Sequence, residues 1–124
     1  MNKRLQHLVV LILGVIAVAS LSATHFTVSK SSPSANQALT ASPKRVQIWY
    51  SQVPAEGVSQ LKLLAADKSE LPVGKTVVDK PSKSMYADVA NPLKPGAYVV
   101  SWRAAGDDGH VLTGEIKFTL TEKK

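Results

Sequence analysis

The chain of 124 residues contains no cysteine. That excludes disulfides, thiolate metal sites, thiol redox chemistry and a lipid anchor on a processed cysteine. Histidine is nearly as scarce, with only His7, His25 and His110. Methionine stands only at Met1 and Met85, so the clustered thioethers that a soft Cu(I) site needs are missing. Aromatic residues make up 6% of the chain, and its charges are scattered without a basic stripe. The net charge of +6 therefore leaves no footprint for nucleic acid. No serine stands in a nucleophile-elbow context near a mature histidine, so a Ser-His-Asp hydrolase has no support. Internal repeats, long linkers and a second domain are absent, and no segment beyond the first two dozen residues keeps a helical period over eleven residues or more.

The chain opens with an address. A short basic head, Met1 to Arg4, precedes the apolar run "LVVLILGVIAVA" from Leu8 to Ala19, and the small residues "SLSAT" follow. This is the order of a secretory signal peptide. A dozen apolar residues fall short of the roughly 20 that span a bilayer. Residues 1–24 are read as the leader and residues 25–124 as a single exported domain. Export places the domain in the periplasm, or at the cell surface where there is no outer membrane. Loss of the leader removes Lys3 and Arg4 and no acid, so the charge falls from +6 to +4. It also removes His7, leaving His25 and His110 to supply all imidazole chemistry.

The mature region alternates with period two. "KRVQIWYS" sets Val46, Ile48 and Tyr50 against Gln47, Trp49 and Ser51. "SQLKLLA" sets Leu61, Leu63 and Ala65 against Gln60, Lys62 and Leu64. "YVVSWRA" sets Tyr98, Val100 and Trp102 against Val99, Ser101 and Arg103, and "GEIKFTLT" turns Ile116, Phe118 and Leu120 to one side. Such alternation, rich in β-branched and aromatic residues, predicts half-buried strands. "HFTVSKS", "LPVGKTVV" and "SMYADVA" are weaker candidates, which makes about seven strands. With Pro, Gly, Asn and Asp at the breaks, the pattern predicts an all-β sandwich. Trp102 is expected to fill the core, Gly114 to mark a bulge or a close approach, and Pro95-Gly96 to make a turn.

One turn carries residues that a turn does not need. "GDDGH", Gly106 to His110, lies between two strand patterns, and Asp-Gly is a hairpin signal in its own right. In an extended segment, residues two apart project from the same side, so Asp108 and His110 could share an ion while Asp107 points the other way into solvent. If the leader is cut just before His25, that residue offers its α-amine and side-chain Nδ1 together. Two nitrogens from His25, one from His110 and an oxygen from Asp108 make a set that suits tetragonal Cu(II). The amine's ordinary pKa of roughly 7.7–8 lets a metal displace its proton near neutrality. A cut after Ala23 would leave Thr24 ahead of His25. A cut after Ser22 would start the chain Ala23-Thr24-His25, where a third-position histidine binds Cu(II) through backbone amides. The small-residue rule does not choose among these.

At this point the chain resembles the CopC family of periplasmic copper-binding, copper-resistance proteins. "SSPSANQALTASPKRVQIWYS" is similar to the family's S-x-P-x-x-x-x-x-L-x-x-x-P-x-x-V-x-L-x-F-S. "PLKPGAYVVSWRAAGDDGHVLTGEIKFTL" is similar to its P-L-x-x-G-x-Y-x-V-x-W-x-x-x-S-x-D-G-H-x-x-x-G-x-x-x-F-x-V. The resemblance implies a Greek-key β-sandwich, Ig-like or cupredoxin-like, and a Cu(II) site made by His25 with its amine, Asp108 and His110. It also implies a non-catalytic role in copper homeostasis, as a monomer that stores copper or passes it to an inner-membrane copper transport protein. Two positions depart from the pattern. Gln52 stands where many members carry a glutamate that can hydrogen-bond the N-terminal histidine or its amine, and Gly106 replaces the usual serine. Two other classes stay open: a structural or adhesion-type sandwich without metal, and a copper redox enzyme built on a histidine brace. The brace is disfavoured because a carboxylate ligand would close a position that oxygen needs, and no flat aromatic substrate face is evident.

Overall fold

The computed structural model describes residues 25–122, so the leader assigned to residues 1–24 lies outside the described residues. Nine strands form two sheets, and the described residues contain no helix. One sheet has the order β1-β3-β7-β6, built from β1 (Val28–Ser32), β3 (Arg45–Tyr50), β7 (Ser84–Asp88) and β6 (Val77–Asp79). The other has the order β2-β9-β8-β4-β5, built from β2 (Gln37–Leu39), β9 (Val111–Leu120), β8 (Gly96–Ala105), β4 (Gln60–Ala65) and β5 (Glu70–Leu71). The chain crosses repeatedly between the sheets, as a Greek-key sandwich requires. All pairings are antiparallel except β2 with β9, where Gln37–Leu39 runs parallel to Phe118–Leu120.

The alternation becomes the core. Val46, Ile48 and Tyr50 from β3, Leu61 and Leu63 from β4, Val100 from β8, and Phe118 and Leu120 from β9 are buried together, with Met85 and Ala87 from β7. Each large apolar side chain fully buried here contributes roughly 1.5–3 kcal/mol. Nine strands replace the expected seven because β2 and β5 have only three and two residues, too few to show a period. Val99, expected on the outer face, is buried; Lys68 reaches over that face to Glu115, with their charged atoms 3.5 Å apart. Trp102 is half-buried and packs against the edge of the core. Its indole lies over Gly114, the residue it pairs with on β9, where a Cβ would stand 2.6 Å from Cζ2. Gly114 thus marks a close approach rather than a bulge, because the β8–β9 register runs without a shift from Gly96 to Ala105. That ladder delivers the GDDGH turn to one end of the sandwich.

Candidate metal centre

The β8–β9 hairpin closes at the pair Ala105 and Val111. Gly106 C=O accepts a hydrogen bond from Gly109 N–H at 3.1 Å, which makes a tight turn. Gly109 follows with φ +76°, a left-handed conformation that glycine adopts without penalty. The expected extended geometry is corrected here, since Asp108 and His110 do not meet by projecting from one side of a strand. They meet because the turn folds the aspartate back on its own backbone: Asp108 Oδ1 accepts from His110 N–H at 3.0 Å. This aspartate-anchored turn leaves Oδ2 3.7 Å from His110 Nδ1. Both side chains are open to solvent, with 71% of the aspartate side chain and 85% of the histidine side chain exposed. Asp107 is likewise an exposed turn residue, and its N–H donates to Gln52 Oε1 at 3.0 Å.

His25 sits on the segment leading into β1. Ser51, directly after β3, pins that segment three times. Its hydroxyl donates to His25 C=O at 2.9 Å and accepts from Thr27 N–H at 2.9 Å. Its own N–H donates to Thr27 C=O at 2.9 Å. Between these bonds, Phe26 lies flat on Tyr50, with ring centroids 4.8 Å apart and planes 12° apart. Tyr50 meets Trp102 edge-on at 5.5 Å, so the aromatic stack runs from the first sheet to the second. Tyr50 is 3% exposed, its hydroxyl has no hydrogen-bond partner among the described residues, and burial pushes its pKa well above the usual phenol value.

Of the residues expected to form the site, Asp108 and His110 stand together and Gln52 braces their turn. The imidazole of His25 is exposed on the adjoining segment, and among the described residues no three His, Cys, Asp or Glu side chains converge tightly enough to hold an ion. Gln52, next to the Ser51 that pins the His25 segment, bonds Asp107, and Phe26 lies against Gly106. The imidazole and carboxylate donors at this turn are chemically suited to a divalent metal of nitrogen and oxygen preference. Met85 is fully buried in the core and offers no thioether to this surface. Sequence reasoning missed Ser51 and Phe26. Ser51 was visible as the last residue of "QIWYS", but its partners lie 24 and 26 positions away. Phe26 carried no local signal beyond standing beside His25.

The family model of the CopC domain matches residues 28–121. The chain belongs to the CopC family. Copper resistance protein C of Escherichia coli is 32% identical over 113 residues, covering 86% of this chain and 89% of that protein. Copper transport protein CutJ of Bacillus subtilis is 27% identical over 119 residues, 95% of this chain but 22% of CutJ, so the chain spans about a fifth of that relative. Among solved structures, CopC from Methylosinus trichosporium OB3b superposes with a TM-score of 0.73 at 25% identity, over 81% of this chain and 97% of that one. PcoC from Escherichia coli, described as a methionine-rich copper resistance protein, superposes with a TM-score of 0.68 at 32% identity, over 79% of this chain and all of PcoC. The CopC fold is thus shared, but this member is not methionine-rich.

Proposed function

We propose that this CopC-family protein binds copper without catalytic turnover, in copper resistance, storage or transfer. The ion is Cu(II). Its ligands are His110, Asp108, and His25 through its side chain and, once the leader is removed at that residue, its α-amine. Gln52 holds the turn that carries the first two. The protein works as a monomer in the periplasm after export by residues 1–24, and it passes copper to an inner-membrane copper transport protein. The observation that carries this reading is the exposed Asp108–His110 pair, on a turn that Gln52 bonds and that Phe26, the neighbour of His25, packs against. An exposed site can load and release its ion, whereas a catalytic copper centre would need a substrate surface and a free equatorial position beside it. Names given to relatives, copper resistance protein C and copper transport protein CutJ, support the same reading.

The test is Cu(II) titration of the purified secreted protein and its His110→Ala variant. Because His110 is exposed, the variant should keep the wild-type circular dichroism spectrum and melting temperature while Cu(II) affinity falls by orders of magnitude. Equal affinity in the two proteins refutes the site. The intact mass of the secreted protein establishes which residue is first.

A further inference from the structure

A side chain cannot be placed at Gly106 without moving its neighbours. A Cβ there would stand 2.6 Å from Gln52 Oε1, 2.9 Å from Phe26 Cδ2 and 3.0 Å from Phe26 Cβ. Gln52 Oε1 ends a flexible side chain and could swing aside, at the cost of its bond to Asp107 N–H. Phe26 has no such freedom. Its ring lies flat on Tyr50, and Tyr50 is itself buried and held edge-on by Trp102. Trp102 in turn fills the space over Gly114. The stack therefore backs Phe26 with residues of both sheets, and its front edge fills the space that Gly106 leaves. His25 is one peptide bond from Phe26, and Asp108 is two residues from Gly106.

We propose that Phe26 and Gly106 form a plug and slot that fixes the spacing between the two halves of the copper site, making both positioning residues for His25. The inference rests on the copper-binding reading above. It also accounts for the glycine that replaces the serine of the family pattern, since the volume that a serine Cβ would need is filled by Phe26. Residues that orient metal ligands without touching the metal commonly change affinity by roughly 10–100-fold.

The experiment measures Cu(II) affinity and the Cu(II) EPR spectrum of the secreted protein and its Gly106→Ala, Phe26→Ala and doubly substituted variants. Each single variant should bind Cu(II) at least tenfold more weakly with altered EPR parameters. The double variant should be no weaker than the poorer single one, because both changes act on one spacing. Wild-type affinity and spectrum in Gly106→Ala, or losses that simply multiply in the double variant, overturn the proposal. If Gly106→Ala does not fold, Phe26→Leu shortens the plug without adding an atom to the slot; weakened Cu(II) binding supports the proposal and wild-type binding overturns it. If the wild-type protein binds no Cu(II), the copper reading fails by itself. The plug is then read by NMR in the metal-free protein, where contacts between the Phe26 ring protons and Gly106 Hα support it and their absence overturns it.

Discussion

Tyr50→Phe should make this protein more stable, against the usual direction for a change in a packed core. Tyr50 is 3% exposed, and its hydroxyl is buried without a hydrogen-bond partner among the described residues. Leaving a polar group unpaired in the interior costs about 1–3 kcal/mol. Phenylalanine removes that oxygen and keeps the ring, so the stack on Phe26 and the edge contact with Trp102 survive. For a domain of this size, each kcal/mol shifts the melting temperature by roughly 4–8 °C. The gain should therefore read as a rise of several degrees in a circular dichroism melt at neutral pH, with Cu(II) affinity unchanged. The pH dependence has a definite sign. Burial raises the phenol pKa in the folded state above its ordinary value of 10.0. The stability tied to keeping the phenol neutral is complete below about pH 10 and is lost as pH rises from there toward the folded-state value. The phenylalanine variant lacks this loss, so its advantage should widen above pH 10. A melting temperature that is unchanged or lower at neutral pH would refute the reasoning, because the hydroxyl would then have to be satisfied in the folded protein.

Gly114→Ala should destabilise, although a glycine inside a strand ordinarily costs roughly 0.5–1 kcal/mol relative to alanine. The new Cβ would lie 2.6 Å from Trp102 Cζ2 and 2.7 Å from Nε1. Overpacking of this kind costs about 1–3 kcal/mol, so a thermal melt should show a lower midpoint, and a higher one would mean the indole moves freely. In a form that begins at His25, one extra glycine ahead of it should cost most of the Cu(II) affinity by converting the amine to an amide; unchanged EPR parameters after the extension would mean that the amine is not a ligand.

The fold was legible wherever one strand carried enough alternating residues to report a face. Val46, Ile48, Tyr50, Leu61, Leu63, Val100, Phe118 and Leu120 fall on one side of period-two strands and are buried, although Ala65 and Trp102 on the same sides are only half-buried. The pattern failed where pairing is decided at a distance. β2 exists because Gln37–Leu39 can run beside Phe118–Leu120, a partnership about eighty residues away that leaves no mark on three residues of local sequence. The same limit governs the site. Asp108 and His110 were readable as a pair because a single glycine separates them, but the assumed geometry was wrong, since the aspartate bonds its own backbone instead of extending. Gln52 and Gly106 looked like two separate departures from a family pattern. They are neighbours in space, at a distance that only the folded chain reveals.

The placement of the proposed site suits a cargo ion and not a structural one. The largest fully buried side chains, Phe118, Ile48, Leu63 and Met85, include none of the proposed ligands. Asp108 and His110 sit on an exposed hairpin tip, and the backbone of that turn is already satisfied by Gly106–Gly109 and Asp108–His110 bonds that use no metal. The segment carrying His25 is likewise held by Ser51 and by the Phe26–Tyr50 stack. Every element that positions a proposed ligand is therefore anchored by the protein itself. A metal whose ligands are organised by its own binding couples its affinity to folding. On the proposed ligand set the ordering is done in advance by a cysteine-free core and an aromatic stack, so that reading lets copper be taken up and surrendered while the sandwich stays folded, as a carrier requires.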